Sequence, residues 1–284
     1  MSEKLSVAGG EIAFDVAGEG PLVVLAHGMG DSRRSYRFVM PALVAAGYRV
    51  ANVDIRGCGE SSSTWASYGR GDIAGDLLAV IRHLGGPAVI VGQSISGGAA
   101  TVAAATAPQD VAGVIELAPF TRLQHFDARG LLRNSHHRKG MIRLAGMLLR
   151  GSVSAWLSYL DLATPRKPVD WEEERANISR DLSDPARMAA LRAMGRTTPA
   201  DAGAQLPHVS VPVLIVMGSA DPDWADPRAE GEGVLGELPT GIGELAVIDG
   251  AGHYPHVERP DEVVDLAFPF LRTVFAAHAG STDA

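Results

Sequence analysis

The sequence predicts an α/β fold, with a mostly parallel central sheet flanked by helices and a helical block inserted late in the chain. Three observations carry this. Short apolar runs ending in glycine or a small polar residue alternate with helix-period segments from Pro21 to Pro119. Parallel strands need crossovers of about a dozen residues or more, which these segments supply. The alternation then stops from Arg122 to about Leu206 and resumes at VPVLIVMG, Val211–Gly218.

Taken in order, Lys4–Val7 and Glu11–Val16 alternate around Gly9-Gly10 and read as a β-hairpin. PLVVLAHG is a continuous apolar run, as expected of a strand buried on both faces. A helix follows over Tyr36–Ala46, and Gly47 stops it. YRVANVDIRG is the next strand. GDIAGDLLAVIRHLG is the next helix, with Ile73, Leu77, Val80, Ile81 and Leu84 on one face. PAVIVGQS gives a strand, then a helix through Ala107, then the strand VAGVIELAP. The strand-poor block contains GMIRLAGMLLRG, SAWLSYL, WEEERANISRDL and PARMAALRAMG. It is expected to form a cap over residues 122–206, inserted into a core of 1–121 and 207–284. ELAVIDGAGH supplies a last strand, Pro260–Ala276 a last helix, and AGSTDA a frayed tail.

Bulk properties narrow the function. The formal net charge of −8 argues against nucleic acid as a partner, since phosphate binding needs a basic surface. Cys58 is the single cysteine, so no internal disulfide forms and a reducing, cytoplasmic setting is expected. No apolar run approaches the ~20 residues of a membrane span, and the start shows no signal-peptide pattern. The expected partner is a small molecule, with no stable membrane insertion.

The chemistry centres on VIVGQSISGGAA, Val89–Ala100. A strand turning directly into a helix forces the corner residue into strained geometry and needs small neighbours. Gly92 and Gly97-Gly98-Ala99-Ala100 supply them around Ser94. The turn lifts the hydroxyl above the sheet and aims a helix N-terminus at a developing anion. Helix capping alone would also account for a serine here, and Ser96 is a rival nucleophile. The strand would then end two residues early, so Ser94 is preferred.

A serine needs a base, and the base needs a carboxylate to hold its tautomer. Asp221 follows the strand VPVLIVMG, and His253 follows ELAVIDGAG with flanking glycines. Both stand at carboxyl ends of strands, where open α/β sheets place their sites. Asp223, Asp226 and Asp249 are rivals of Asp221, and His256 of His253. His83, His125, His208 and His278 read as core or solvated residues, and His136-His137 lack the carboxylates of a metal site. The amides of Ile95, after the corner serine, and Met29, in the loop HGMGD, are candidate oxyanion donors. His27 is expected to orient that loop. In the cap, Trp156 and Tyr159 are candidate substrate contacts, and the run Arg129–Arg150 is rich in basic residues.

With HGMGD, DIRGCGES, GQSIS, GSADPD and GAGHYPHVERPDEV in this order, the sequence resembles the α/β-hydrolase superfamily. The resemblance implies an α/β-hydrolase fold, with Ser94 as nucleophile, Asp221 as acid and His253 as base. It implies hydrolysis of a small or medium carboxylic ester through an acyl-enzyme, with no cofactor and no metal. Lactonase, thioesterase, C–C hydrolase, lyase and perhydrolase readings share the same triad. The fold's dehalogenases and typical epoxide hydrolases use an aspartate at the corner, where this chain has Ser94. Arg56 and Gly57 then shape a loop beside the oxyanion segment, and Cys58 stays outside the chemistry. Two positions depart from the family pattern. Gln93 stands where histidine is frequent, and Ser96 replaces the usual glycine. The resulting G-x-S-x-S elbow resembles that of slow, ligand-sensing members of the fold, a reading of another class.

Overall fold

The computed structural model describes residues 2–123 and 128–282, without the side chains of 128, 129 and 279–282. His125 lies outside the described residues. One sheet carries the molecule, in the order β1-β2-β4-β3-β5-β6-β7-β8. Its strands are β1 (Ser2–Val7), β2 (Gly10–Ala17), β3 (Leu22–Ala26), β4 (Arg49–Val53), β5 (Ala88–Gln93), β6 (Val111–Leu117), β7 (Val213–Gly218) and β8 (Gly243–Ile248). The hairpin β1–β2 is antiparallel and β2 meets β4 antiparallel. From β4 through β8 every pairing is parallel. This is the mostly parallel central sheet flanked by helices that the sequence predicts.

The helices in chain order are α1 (Val39–Ala45), α2 (Arg70–His83), α3 (Ile95–Thr106), α4 (Ala128–Arg133), α5 (Ser135–Arg150), α6 (Val153–Ala163), α7 (Trp171–Leu182), α8 (Pro185–Met194), α9 (Ala200–Gly203), α10 (Pro227–Glu237), α11 (Pro255–Glu258) and α12 (Pro260–Thr282). The strands β3, β5, β6 and β7 are buried along their whole length because helices cover both sheet faces. One face packs Ile73, Leu77 and Ile81 of α2 and the small residues of α3 against Val24, Ile90 and Ile215. The other packs Leu43 of α1 and Leu271 and Val274 of α12 against Val23, Val89 and Leu214. A third cluster, with Met147, Trp156, Leu160, Trp171 and Leu191, holds together the helices lying between β6 and β7. No described helix is long and apolar enough to cross a membrane.

Three boundaries differ from the sequence reading. The stretch expected as one helix from Tyr36 divides into a 3₁₀ turn over Arg33–Tyr36 and the shorter α1. Pro41 lacks the N–H of a helix interior and is accommodated in the first turn of α1. The last helix runs on to Thr282, so Ala279–Thr282 of the expected tail are helical. The helix α10 was not anticipated, because Gly231, Gly233 and Gly236 depress its propensity. It forms because Asp226 accepts the Ala229 N–H at 3.1 Å, Pro227 starts the first turn, and Gly231 lets the helix press on the sheet. A Cβ at Gly231 would meet Leu245 Cδ1 at 2.6 Å.

Candidate active site

Ser94 follows β5 directly and caps α3 with φ 56° and ψ −120°. A non-glycine residue in this region stores about 1–3 kcal/mol of strain, so the surroundings must hold it there. They do so through the backbone. Ser94 N–H donates to Leu117 O at 3.0 Å, while its carbonyl accepts from Gly97 N at 3.0 Å and Phe120 N at 3.1 Å. The approach is close enough that a Cβ at Gly92 would meet the Ser96 carbonyl oxygen at 2.3 Å. The crowding inferred from the glycines of the sequence is therefore present. Ser94 is 5 % exposed, and its hydroxyl makes no hydrogen bond to a described residue. It borders a cavity of about 330 Å³, lined also by Met29, Ile95, Phe120, Met194 and Arg70.

Asp221 and His253 come together across the ends of β7 and β8, with His253 Nδ1 at 2.8 Å from Asp221 Oδ2. The other Asp221 oxygen accepts the Asp223 N–H at 2.9 Å. Both side chains are buried. The His253 loop is strapped to its surroundings on two sides. Gln93 Nε2 donates to the His253 carbonyl at 3.0 Å, and His253 N–H donates to Ala163 O of α6 at 2.8 Å. Gln93 thus ties the loop of the base to the residue next to Ser94. Phe120, which lines the Ser94 cavity, lies edge-on to the His253 ring at 5.9 Å.

Asp223 is not a bystander. Its Oδ2 lies 3.5 Å from His253 Nδ1 and accepts the Tyr159 hydroxyl at 2.7 Å. Two carboxylates therefore face one imidazole. Burial pulls the His253 pKa down, yet Asp221 and Asp223 outweigh it and raise the group above its ordinary value. Burial pushes the Asp223 carboxyl up, opposed by His253. Asp221, Asp223 and His253 are also the described group of side chains whose donor atoms approach closely enough for a cation. His253 Nδ1 is engaged by Asp221 and Asp223 Oδ2 by Tyr159, while Asp223 Oδ1 is buried without a described partner.

Met29 and Ile95 both line the cavity beside Ser94. Ile95 opens α3, where a helix leaves its N–H without an internal partner. His27 holds the Met29 loop as the sequence suggested. Its Nε2 accepts the Ile55 N–H at 3.3 Å, which leaves Nδ1–H to donate to Gly28 O at 2.7 Å. Ser96 fastens the same loop to α3, its hydroxyl donating to His27 O at 2.5 Å. His256 is engaged elsewhere, 2.8 Å from Ser35 Oγ, and burial pushes its pKa down to about 3. His136 and His137 of α5 clamp the Asp221 loop, through Ala220 O at 3.0 Å and Pro222 O at 2.9 Å. Cys58 is buried, which pushes its thiol up to about 12 and leaves it unreactive.

Trp156 and Tyr159, expected to touch substrate, are each 1 % exposed and stack on one another 5.0 Å apart in the third cluster. Neither lines the Ser94 cavity. Trp156 fills the space over Gly30, and Tyr159 supports Asp223. Sequence reasoning passed over Arg70 as a neighbour of the site, and it named Gln93, Ser96 and Asp223 without the contacts they make here. Those three carried a local signal, Gln93 and Ser96 flanking Ser94 and Asp223 as an acid two residues beyond Asp221, whereas Arg70 carried none.

The model of the alpha/beta hydrolase family matches residues 23–266. The chain belongs to this family. It is similar to the 2-(acetamidomethylene)succinate hydrolase of Mesorhizobium japonicum, 29 % identical with 92 % of each chain covered. A shorter stretch, 36 % of this chain and 30 % of the relative, is 39 % identical to epoxide hydrolase B of Mycobacterium tuberculosis. Among solved structures, a thermophilic esterase from Thermogutta terrifontis superposes with a TM-score of 0.73 at 25 % identity, covering 96 % of this chain and 99 % of the other. Membership establishes the chain as an α/β-hydrolase.

Proposed function

We propose that this hydrolase cleaves a small or medium carboxylic ester, open-chain or cyclic, through an acyl-enzyme on Ser94. One observation carries the reading. A serine held at a strained strand–helix corner borders a cavity, and a buried imidazole oriented by a carboxylate is strapped to that corner. In this mechanism Ser94 attacks the carbonyl while His253 Nε2 takes its proton, and Asp221 fixes the tautomer and stabilises the imidazolium. The N–H groups of Met29 and Ile95 hold the tetrahedral oxyanion, each donor contributing about 3–4 kcal/mol. His253 then activates water to release the acid. No cofactor or metal has a part in these steps.

The reading draws support from the esterase of similar fold and from the relative that hydrolyses a succinate derivative. A serine at the corner separates it from epoxide opening, which in this fold uses an aspartate there. The residues between β6 and β7 act as the cap, closing the cavity with Leu144 and Met194. A panel of nitrophenyl esters of increasing acyl length tests the proposal, with Ser94→Ala alongside. Hydrolysis is expected for short acyl groups, and Ser94→Ala should lower kcat by about 10⁴–10⁶-fold. A variant with wild-type rates would remove Ser94 from the mechanism.

A further inference from the structure

The cavity beside Ser94 contains a cation that forms no ion pair with a described carboxylate. Arg70 is the first residue of α2, is 4 % exposed, and lines the cavity together with Ser94, Ile95 and Phe120. Its Nε donates to Phe120 O at 2.7 Å and its Nη1 to Thr197 Oγ1 at 3.2 Å. No further bond from the guanidinium to a described residue is formed, and no described carboxylate lies within ion-pair distance. The contrast with Arg56 is direct. That arginine, also buried, is held by Asp76 through two bonds of 2.7 and 2.9 Å.

Burial lowers the Arg70 pKa to about 10, with Asp201 opposing from a distance, so the group stays charged at neutral pH. A buried charge without a counter-ion is costly, and such groups are normally paired. The two bonds to neutral oxygens do not supply a counter-charge. They do fix the direction of the fork, leaving Nη2 and the second N–H of Nη1 as the adjacent donors a carboxylate binds in bidentate fashion.

The position relative to the reacting centre is set by the backbone. The Phe120 carbonyl that anchors Arg70 belongs to the residue whose N–H bonds the Ser94 carbonyl. A Cβ at Gly98 would meet Arg70 Cδ and Nε at 2.8 Å, so the side chain lies against α3 four residues beyond Ser94. One helical turn is about 5.4 Å, which places the guanidinium within reach of a short substrate bound at Ser94. Most of the other lining side chains, Ile95, Phe120, Leu123, Leu144 and Met194 among them, are apolar; Thr197 and Thr198 add neutral hydroxyls, so Arg70 is the charged group of the described lining.

We infer that Arg70 is the anion-binding subsite of this hydrolase, and that its substrate is an ester carrying a free carboxylate a few carbons from the scissile carbonyl. The inference rests on Ser94 being the nucleophile, and it narrows the ester class to half-esters of short dicarboxylic acids or lactones with a pendant carboxylate.

The test compares two esters differing only in charge: mono-p-nitrophenyl glutarate and its methyl ester, methyl p-nitrophenyl glutarate. The wild-type protein should favour the anionic ester in kcat/KM by about 10- to 100-fold, the range of a charged hydrogen-bonded contact. In Arg70→Met that ratio should fall towards one, and Arg70→Lys should keep part of it. The ratio is insensitive to general damage, and if Arg70→Met does not fold, the wild-type and Arg70→Lys ratios decide. Equal turnover of the two esters by the wild type, or a ratio that survives Arg70→Met, overturns the subsite while leaving ester hydrolysis standing. If neither ester is cleaved, thermal shifts of Ser94→Ala with monomethyl and dimethyl glutarate decide separately. Stabilisation by the monoanion alone, absent when Arg70→Met is added, supports the subsite and rejects the ester reading. No stabilisation by the monoanion overturns it.

Discussion

Ser96→Ala removes one oxygen from a side chain that is fully buried and bonded to the carbonyl of His27 at 2.5 Å. The expected damage has two parts. The first is thermodynamic. The His27 carbonyl is left without its partner away from water, and an orphaned buried acceptor costs about 1–3 kcal/mol. With an unfolding entropy of about 2.1 cal/mol/K per residue, a chain of 284 residues should lose roughly 2–5 °C in Tm. The second part is kinetic. The hydroxyl ties α3, which opens with Ile95, to the loop that continues into Gly28 and Met29, so both proposed oxyanion donors are set by one bond. Outright loss of such a donor lowers kcat by about 10²–10³-fold; loosening one should give roughly a tenfold loss in kcat with KM little changed. Thermal denaturation and steady-state ester hydrolysis read the two parts independently. A variant with Tm within about 1 °C and kcat within about twofold of wild type would refute the claim that Ser96 fastens the loop. On this view the serine in place of glycine is a brace, and slow turnover is not its expected consequence.

Other outcomes follow from the same geometry. His253 must be neutral to accept the Ser94 proton, and its pKa is raised to about 9 by Asp221 and Asp223 against burial. Activity should therefore climb as pH rises through the range above 6.5, and Asp223→Asn, which removes one of the two carboxylates, should move that limb to lower pH. A pH profile of kcat/KM checks both; a limb unmoved by Asp223→Asn would show that Asp223 does not act on the base. Glu116 lies fully buried between Thr101 and Thr121, and burial raises its pKa from 4.5 to about 7. The folded protein thus keeps a proton that the unfolded chain releases, so stability should fall as pH rises from about 4.5 to about 7. Glu116→Gln should flatten that part of the Tm–pH curve; an unchanged slope would assign the dependence to other groups.

Much of the fold was legible because the signals are local. Continuous apolar runs marked β3 and β5–β7, and small residues around Ser94 marked a corner where strand and helix collide. Asp221 and His253 stood out because each follows a strand end within a few residues. Where propensity was overruled, packing did it: the glycines of α10 lower its helix propensity, yet Gly231 is there for close approach to Leu245.

The sequence by itself determined the alternation of strands and helices, the strained serine and the chain order of serine, aspartate and histidine. Periodicity and turn chemistry act over a few residues, and so can be read along the chain. Only the tertiary structure decided which side chains meet. Gln93 reaches the His253 carbonyl across 160 residues, Tyr159 reaches Asp223 across 64, and Ser96 reaches His27 across 69. Arg70 lies in the Ser94 cavity without a carboxylate partner among the described residues for the same reason. A hydrogen bond or a missing counter-ion is a property of distances between atoms, and distances over such separations are fixed only when sheet, helices and cap close around one another.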